Sequence, residues 1–159
     1  MIQINLPNGE TKDYQKPVTP IYVANEISTS LAKEALVASV NGNLWDLERE
    51  IEETCNLKIL TRKDPETLSV LRHDAAHVMA EAVLELYPNT QITIGPSIDD
   101  GFYYDFYRKE NFNLDDLKKI EKRMHEIVDR SEKIHREVWD KKKAQKFFEK
   151  NKEKFKLQL

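Results

Sequence analysis

The chain opens with MIQINLPNGETKDY (residues 1–14), and this stretch decides how the first part of the sequence folds. Ile2, Ile4 and Leu6 alternate with polar residues, a pattern that predicts a half-buried β-strand. Asn8-Gly9 follows and is typical of a tight turn. Residues 10–14 are therefore expected to return as the second strand of a hairpin.

A helix and further short strands are predicted after this hairpin. Thr19-Pro20 marks the helix start, because Pro is tolerated in a first turn, where its missing N–H costs nothing. The buried side of the helix is expected to carry Val23, Ala24, Ile27 and Leu31. Strands are expected at residues 36–40, at Leu44-Trp45 after an Asn41-Gly42 turn, and at residues 57–60. This order of elements is that of an α+β domain with the ubiquitin-like β-grasp fold.

The polar stretch Lys63-Asp64-Pro65 breaks the pattern, and we place a domain boundary there. The first domain is then residues 1–62 and the second is residues 63–159. The second domain is expected to begin with a long helix from about residue 65 to residue 87, which Pro88 stops.

The remainder of the second domain also has an α+β pattern. Residues 92–98 and 102–107 are expected to form an antiparallel hairpin, joined through Asp99-Asp100-Gly101. Asn113 is suited to cap a helix with apolar residues at Leu117, Ile120, Met124 and Ile127. A short strand at residues 134–139 and a Lys-rich helix are expected to follow.

The predicted helix at residues 65–87 has two sides that avoid solvent. Its main apolar stripe consists of Leu68, Leu71, Ala75, Val78, Met79, Ala82 and Leu86. His73 and His77 point away from this stripe, and their neighbours on that side are Ala80 and Leu84. Residues four apart stack along a helix, so both imidazoles can reach one point in a cleft. This arrangement suits a divalent metal ion, or a small polar substrate held beside a water molecule.

The pattern alone leaves open whether the two histidines are hydrogen-bonded core residues or functional groups. The zinc protease motif H-E-x-x-H has Glu after its first His, whereas this chain has Asp74 there. No third His or Cys ligand is evident downstream, so no metal site is predicted. His125 and His135 have no comparable context and are assigned no role.

Composition is that of a soluble globular protein, with 40% apolar residues and few Gly and Pro. Neither a secretory signal nor a bilayer-spanning stretch is predicted. Cys55 is the single cysteine, which excludes an internal disulfide and fits a reducing cytoplasm. Residues 141–159 hold eight Lys and two Glu, so this tail is either a solvated helix or a contact for a phosphate backbone.

Several motifs resemble those of threonyl-tRNA synthetases. L-P-N-G-E at residues 6–10, P-V-T-P at 17–20, L-A-K at 31–33 and V-N-G at 40–42 are similar to the family's TGS domain. R-H-D-A-A-H-V-M-A at 72–80 resembles the H-x-x-x-H element of its editing domain, which alanyl-tRNA synthetases share. I-G-P-S-I-D-D-G-F-Y-Y-D-F at 94–106 is similar to the family's I-G-P-x-I-x-x-G-F-Y-Y-D, and L-x-x-I-E-K-R-M at 117–124 agrees as well.

The resemblance implies the amino-terminal part of a bacterial-type threonine-tRNA ligase, with a TGS domain followed by an incomplete editing domain. In the family a downstream C-x-x-x-H element completes the editing site, and this sequence does not reach it. The class II core that uses ATP, Mg and Zn is expected in the parent enzyme, and no cofactor is expected in these residues. The implied partners are the acceptor end of threonine tRNA and the remainder of the synthetase, with no membrane. The piece is expected to be a cytoplasmic monomer and the parent a homodimer.

The family's chemistry implies roles for particular residues. A binding pocket rejects serine, which lacks one methyl group of threonine, by only about 1–3 kcal/mol, so a second site must hydrolyse seryl-tRNA. The resemblance implies that His73 and His77 position or activate the hydrolytic water and contact the serine and the terminal ribose. It implies that Lys156 stabilises developing negative charge. The implied substrate-binding residues are Gly95, for close backbone approach, and Tyr104 and Asp105, which shape the cleft.

Two other functions stay open beside this hydrolysis. One is a non-catalytic module in which the first domain and residues 141–156 contact RNA or another part of the enzyme. The other is a stand-alone metal-dependent hydrolase built around His73 and His77.

Overall fold

The computed structural model describes residues 1–158, which form two compact units, Met1–Leu68 and a second that begins at Ser69. Each unit has its own hydrophobic core. The sheet of the first unit ends at Thr61 and the next helix begins at Glu66, while the domain boundary after residue 62 stays a prediction. Leu159, the last residue of the predicted second domain, lies outside the described residues.

The first unit is a mixed five-stranded sheet with two short helices. Its elements are β1 (Ile2–Asn5), β2 (Thr11–Tyr14), α1 (Pro20–Ile27), α2 (Thr29–Glu34), β3 (Ala35–Val40), β4 (Asn43–Trp45) and β5 (Cys55–Thr61). The strand order is β2-β1-β5-β3-β4, and β1 and β5 are the parallel pair at its centre. This arrangement confirms the predicted ubiquitin-like β-grasp fold.

The core of the first unit follows from the alternation of its strands. Ile4 of β1 and Leu57 of β5 are fully buried against Val23 of α1. Burying each of these side chains contributes roughly 1.5–3 kcal/mol to the stability of the fold. Cys55 is buried in the same cluster, where it packs as a small apolar group.

The helical segment of the first unit is interrupted, which the sequence pattern did not predict. Thr19 caps α1 as expected, but Ser28 adopts an extended conformation and its hydroxyl accepts from the Leu31 N–H at 3.0 Å. Ser28 thereby ends α1 and caps α2, as serine side chains commonly do. The turn of the chain leaves Ile27 exposed and Leu31 half-buried, so the prediction that Ile27 is buried was wrong.

The second unit contains three helices and two short strand pairs. Its elements are α3 (Glu66–Leu86), β6 (Gln91–Ile92), β7 (Ser97–Ile98), β8 (Gly101–Phe102), β9 (Phe106–Tyr107), α4 (Leu114–Arg130), α5 (Lys141–Lys150) and a 3₁₀ helix (Lys156–Gln158). Helix α3 begins within the last residues of the first unit, and its residues from Ser69 onward belong to the second unit. None of the helices among residues 1–158 combines the length and the apolar character that a membrane span needs.

The predicted hairpin is present, but its ladder is divided. β6 pairs with β9 and β7 pairs with β8, both antiparallel. Between the two pairs, the Thr93 hydroxyl donates to the Asp105 carbonyl at 2.9 Å and the Asp105 N–H donates to the Ile94 carbonyl. Pro96, which has no N–H to donate to a ladder, lies in the gap between the two pairs.

The second core lies between α3 and α4 and includes Ala82, Val83, Ile120 and Ile127. Asn113 caps α4 as predicted, in a reciprocal capping box with Asp116. The predicted stripe of α3 was partly wrong, because Leu68 and Leu71 are exposed while Ala76 and Ala80 are buried. The sequence pattern gave most weight to the large leucine side chains. The buried positions are instead alanines, whose short side chains let neighbouring backbone approach most closely.

The strand predicted at residues 134–139 is absent. Ser131 ends α4 in the left-handed conformation, and residues 131–140 form no regular structure. Ile134 and Val138 are 93% and 76% exposed. Their alternation fits a strand, but a strand needs a hydrogen-bonded neighbour, and none of residues 1–158 pairs with this segment. The Lys-rich helix α5 follows as expected, capped by Asp140.

Candidate functional site

A cleft of about 470 Å³ lies along one side of α3. His77 and Ala80 of the helix line it, together with Tyr104 of the hairpin and Lys156 of the 3₁₀ helix. Ala80 is buried on this side of α3, but His73 and His77 are exposed, so the prediction that this side avoids solvent was wrong for the two histidines. The fold thus brings together three predicted site residues that are far apart in the sequence.

The imidazoles of His73 and His77 are in direct contact. Their Nε2 atoms are 3.0 Å apart, a hydrogen bond in which the donor depends on the tautomers, and their rings meet edge to face. His77 lines the cleft, whereas His73 contacts His77 but is not one of the residues that line the cleft. The bond requires a lone pair on one of the two Nε2 atoms, so these two atoms are not both protonated.

The surroundings of His77 favour its neutral form. Burial lowers the pKa of His77 below its ordinary value of 6.5, and the neighbouring His73 and Lys156 lower it further, while Asp74 raises it. A neutral imidazole at pH 7 has a free lone pair and can accept a proton from water.

Lys156 lines the same cleft as His77 and lies near an aromatic ring. Its Nζ lies 5.9 Å from the centroid of the Phe148 ring of α5, within the range of a cation–π interaction. Its positive charge also lowers the pKa of His77, but by less than burial and His73 do. Lys156 is therefore placed to oppose negative charge that develops in the cleft.

Tyr104 lies flat against the backbone of Gly95. A Cβ on Gly95 would be 2.1 Å from Cδ2 of the Tyr104 ring, so only glycine leaves room for it. The ring also stacks on that of Phe106, with 4.9 Å between the two centroids. Burial and the negative charge of Glu153 raise the pKa of the Tyr104 hydroxyl. The close approach expected at Gly95 is thus made by a side chain of the hairpin itself.

Asp105 is not among the residues that line the cleft. Its side chain is exposed, and its backbone N–H and carbonyl make the hydrogen bonds between the two strand pairs. Asp105 can therefore shape the cleft only through its backbone. The hydrogen bonds of that backbone fix the position of the preceding residue, Tyr104.

Arg72 is a residue of this region that the sequence interpretation missed. Its Nη1 donates to the carbonyl of Ile98 at 3.1 Å and also to that of Asp99. These bonds fasten the turn of the hairpin to α3, one residue before His73. The partners are backbone carbonyls, which leave no signal in the residue types.

No group of three or more His, Cys, Asp or Glu side chains within the described part of the chain is arranged to hold a metal ion.

Comparison with known proteins concerns the first unit and the chain as a whole. Residues 2–61 match the family model described as the TGS domain. Over residues 2–61 the chain is therefore similar to TGS domains. Over all 159 residues it is 52% identical to the threonine-tRNA ligase of Rickettsia bellii, 54% to that of Hyphomonas neptunium and 51% to that of Rickettsia canadensis. The chain covers 25%, 24% and 25% of these proteins, so it spans about a quarter of the length of the curated relatives it matches.

The similarity continues past the TGS domain through the helix with the two histidines, since it includes every residue of the chain. The predicted resemblance to the amino-terminal region of bacterial threonine-tRNA ligases is thereby confirmed.

Proposed function

We propose that the chain is the amino-terminal part of a threonine-tRNA ligase, and that its second unit supplies part of a site that hydrolyses seryl-tRNA. One observation carries the proposal. His77, which is hydrogen-bonded to His73, lines a cleft together with Tyr104 and Lys156. The names of the relatives supply the substrate class, because a ligase for threonine has to contend with serine.

The chemistry needed is the hydrolysis of an ester. Water attacks the carbonyl carbon of the seryl group, and a neutral imidazole of the pair accepts its proton. Negative charge then develops on the carbonyl oxygen, where the Lys156 ammonium stabilises it. The carbon–oxygen bond to the ribose breaks, and the proton passes from the imidazole to the departing ribose oxygen. Serine and the free tRNA end are the products.

The need for a second site follows from the small difference between the two amino acids. A synthetic site rejects the smaller serine by only about 1–3 kcal/mol, which is roughly a 10- to 200-fold preference. A separate hydrolytic cleft multiplies this selectivity. For the whole enzyme we propose that it catalyses the ligase reaction with ATP and metal ions. We also propose that it is cytoplasmic and forms a dimer.

The substrate claim is tested by comparing two esters of the same tRNA. Seryl-tRNA and threonyl-tRNA, both on threonine-specific tRNA, are incubated with the chain and with the full-length gene product. We expect the full-length protein to release serine faster than threonine by at least about tenfold, the lower end of what one methyl group discriminates. Equal rates for the two esters, or hydrolysis no faster than in buffer, would contradict the proposal. Tight tRNA binding without hydrolysis would support a non-catalytic binding module instead.

A matched pair of lysines tests the role assigned to Lys156. Lys156→Met should lower the rate of serine release, because the charge near the carbonyl oxygen is lost. Lys150→Met, at the exposed end of α5, removes the same charge outside the cleft and should leave the rate unchanged. Equal losses in both variants would indicate that the lysines act only through general attraction for RNA.

A further inference from the structure

The cleft lined by His77, the histidine cleft, also has a carboxylate on its wall. Glu81 lines this cleft and lies one helical turn after His77 in α3. Residues four apart lie on the same side of a helix, and with a rise of about 1.5 Å per residue these two are roughly 6 Å apart along its axis. A small molecule that contacts His77 can therefore contact Glu81 as well.

The carboxylate of Glu81 has room for a donor from outside the chain. Its ion partner among residues 1–158 is Arg130, whose Nη1 lies 3.8 Å from Oε1 of Glu81. That guanidinium is already committed to Glu85, because it donates to the two carboxylate oxygens of that residue at 2.6 and 2.9 Å. The side chain of Glu81 is 48% exposed, so a ligand in the cleft can reach it.

Glu85 also lines the cleft, but its carboxylate is occupied. Besides the two bonds from Arg130, it accepts a hydrogen bond from Nη1 of Arg123 at 3.0 Å. Of the two carboxylates on this wall, Glu81 is therefore the one that is available to a ligand.

The histidine cleft thus presents one charge of each sign. Lys156 contributes the positive charge and Glu81 the negative charge, and within the described residues Glu81 pairs with Arg130 rather than with Lys156. Other residues of the lining, among them Ala80, Leu84 and Ile92, are apolar. A ligand that carries an electron-rich oxygen and a cationic group complements both charges.

An aminoacyl ester carries this pair of groups. Its carbonyl oxygen gains negative charge when water attacks, and the carbon next to the carbonyl bears an ammonium group. Lys156 attracts the oxygen and repels the ammonium, whereas Glu81 attracts the ammonium. The two side chains together favour one orientation of the ester, with its carbonyl oxygen toward Lys156.

We propose that Glu81 binds the α-ammonium group of the aminoacyl ester, so that the cleft selects esters with a free amino group over esters whose amino group is acylated. The inference rests on the proposed function, which places the ester beside His77 and Lys156. Serine and threonine carry the same ammonium group, so Glu81 contributes equally to the binding of both and does not distinguish them.

The proposal is tested by hydrolysis of seryl-tRNA and N-acetylseryl-tRNA with the full-length gene product. Glu81→Gln should lower kcat/KM for seryl-tRNA by roughly three- to tenfold, because a half-exposed charge-assisted contact is lost. The loss should lie in KM, since the contact serves binding. Hydrolysis of N-acetylseryl-tRNA and the preference for serine over threonine should not change. Steric exclusion of the acetyl group alone would leave the preference for the free amino group intact in Glu81→Gln and would contradict the proposal.

Two further variants separate the contact from the general effect of charge. Glu81→Asp keeps the carboxylate on a shorter side chain and should retain part of the preference for the free amino group. Glu121→Gln removes the same charge from an exposed position of α4 outside the cleft and should leave both rates unchanged. Equal effects of Glu81→Gln and Glu121→Gln would overturn the proposal.

A binding measurement keeps the test independent of hydrolysis. Serinamide, which has a free ammonium group, is titrated into the ¹⁵N-labelled chain, and N-acetylserinamide is the matched control. Serinamide should shift the amide signals around residues 77–81 and should bind more weakly to Glu81→Gln, whereas N-acetylserinamide should bind equally weakly to both proteins.

The two measurements distinguish failure of this inference from failure of the proposed function. If the unmodified protein hydrolyses seryl-tRNA but Glu81→Gln lowers the rates for both esters equally, the ammonium site is wrong and the hydrolytic function stands. If neither ester is hydrolysed while serinamide binds through Glu81, the hydrolytic function is wrong and the ammonium site stands. Equal affinity of serinamide for the unmodified chain and for Glu81→Gln would overturn the ammonium site in either case.

Discussion

Replacement of Gly95 by alanine tests how the hairpin positions Tyr104 in the histidine cleft. The three heavy atoms nearest to a Cβ built on Gly95 all belong to the Tyr104 ring, at 2.1, 2.5 and 2.9 Å. Gly95 is not one of the glycines with a positive φ angle, so the backbone itself accepts alanine without strain. The effect of the substitution should therefore come entirely from the displaced ring.

The size of the displacement follows from these distances. Carbon atoms pack at about 3.5 Å or more, so Cδ2 has to move by roughly 1.4 Å. Overpacking of this kind typically destabilises a protein by about 1–3 kcal/mol. The displaced ring also loses its stacking on Phe106. Because a misplacement of about 1 Å can lower a rate by about 100-fold, Gly95→Ala should also impair serine release strongly.

A double-mutant cycle in urea unfolding measures how much of the destabilisation comes from the contact between position 95 and the Tyr104 ring. Gly95→Ala should cost about 1–3 kcal/mol in the native sequence and less than about 0.5 kcal/mol in a Tyr104→Ala background. Gly42→Ala is the control, because Gly42 has a φ of 84° and no atom within 4 Å of a built Cβ. Its cost is backbone strain and should be the same in both backgrounds. Equal costs of Gly95→Ala in the two backgrounds would refute the contact as the cause.

Three further predictions concern stability and titration. Hydrogen bonding to Arg130 holds the pKa of Glu85 at about 2, below its ordinary 4.5, so its stabilisation is present above pH 4.5 and lost as the pH falls toward 2. Urea unfolding should show that Glu85→Gln destabilises at pH 7 but not at pH 2, and an equal effect at both pH values would contradict this. Asn113→Ala removes a helix cap and should cost about 1 kcal/mol in thermal unfolding, whereas an unchanged Tm would argue against the cap. In an NMR titration His77 should lose its proton below pH 6.5, and His73→Ala should raise its pKa, so a His77 signal unaffected by the change would contradict the coupling.

Local patterns predicted much of the fold because they report short-range geometry. The alternation of Ile2, Ile4 and Leu6 and the Thr19 cap identified the elements of the β-grasp unit. Ser28 was missed, because a serine within an apolar helical pattern gives no sign that it ends one helix and begins the next. The strand expected at residues 134–139 was wrong for a different reason. Alternation describes a strand's two faces, but pairing with a neighbour decides whether the strand forms.

The candidate site was predictable only in part. Helical spacing alone placed His73 and His77 together, since both lie on one helix. Lys156 is distant in sequence, and only the family resemblance suggested that it belongs to the same cleft. Arg72 could not be found from residue types, because it binds backbone carbonyls.

The rate of seryl-tRNA hydrolysis by His77→Ala tests the central claim most directly. The full-length protein is compared with this variant and with His125→Ala, which changes an exposed histidine of α4 outside the cleft. Circular dichroism verifies that each variant is folded. We predict that His77→Ala loses serine release, by about 100-fold or more for a general base, while His125→Ala retains it. Full activity in folded His77→Ala would show that the histidine pair is structural and that the hydrolytic role is wrong.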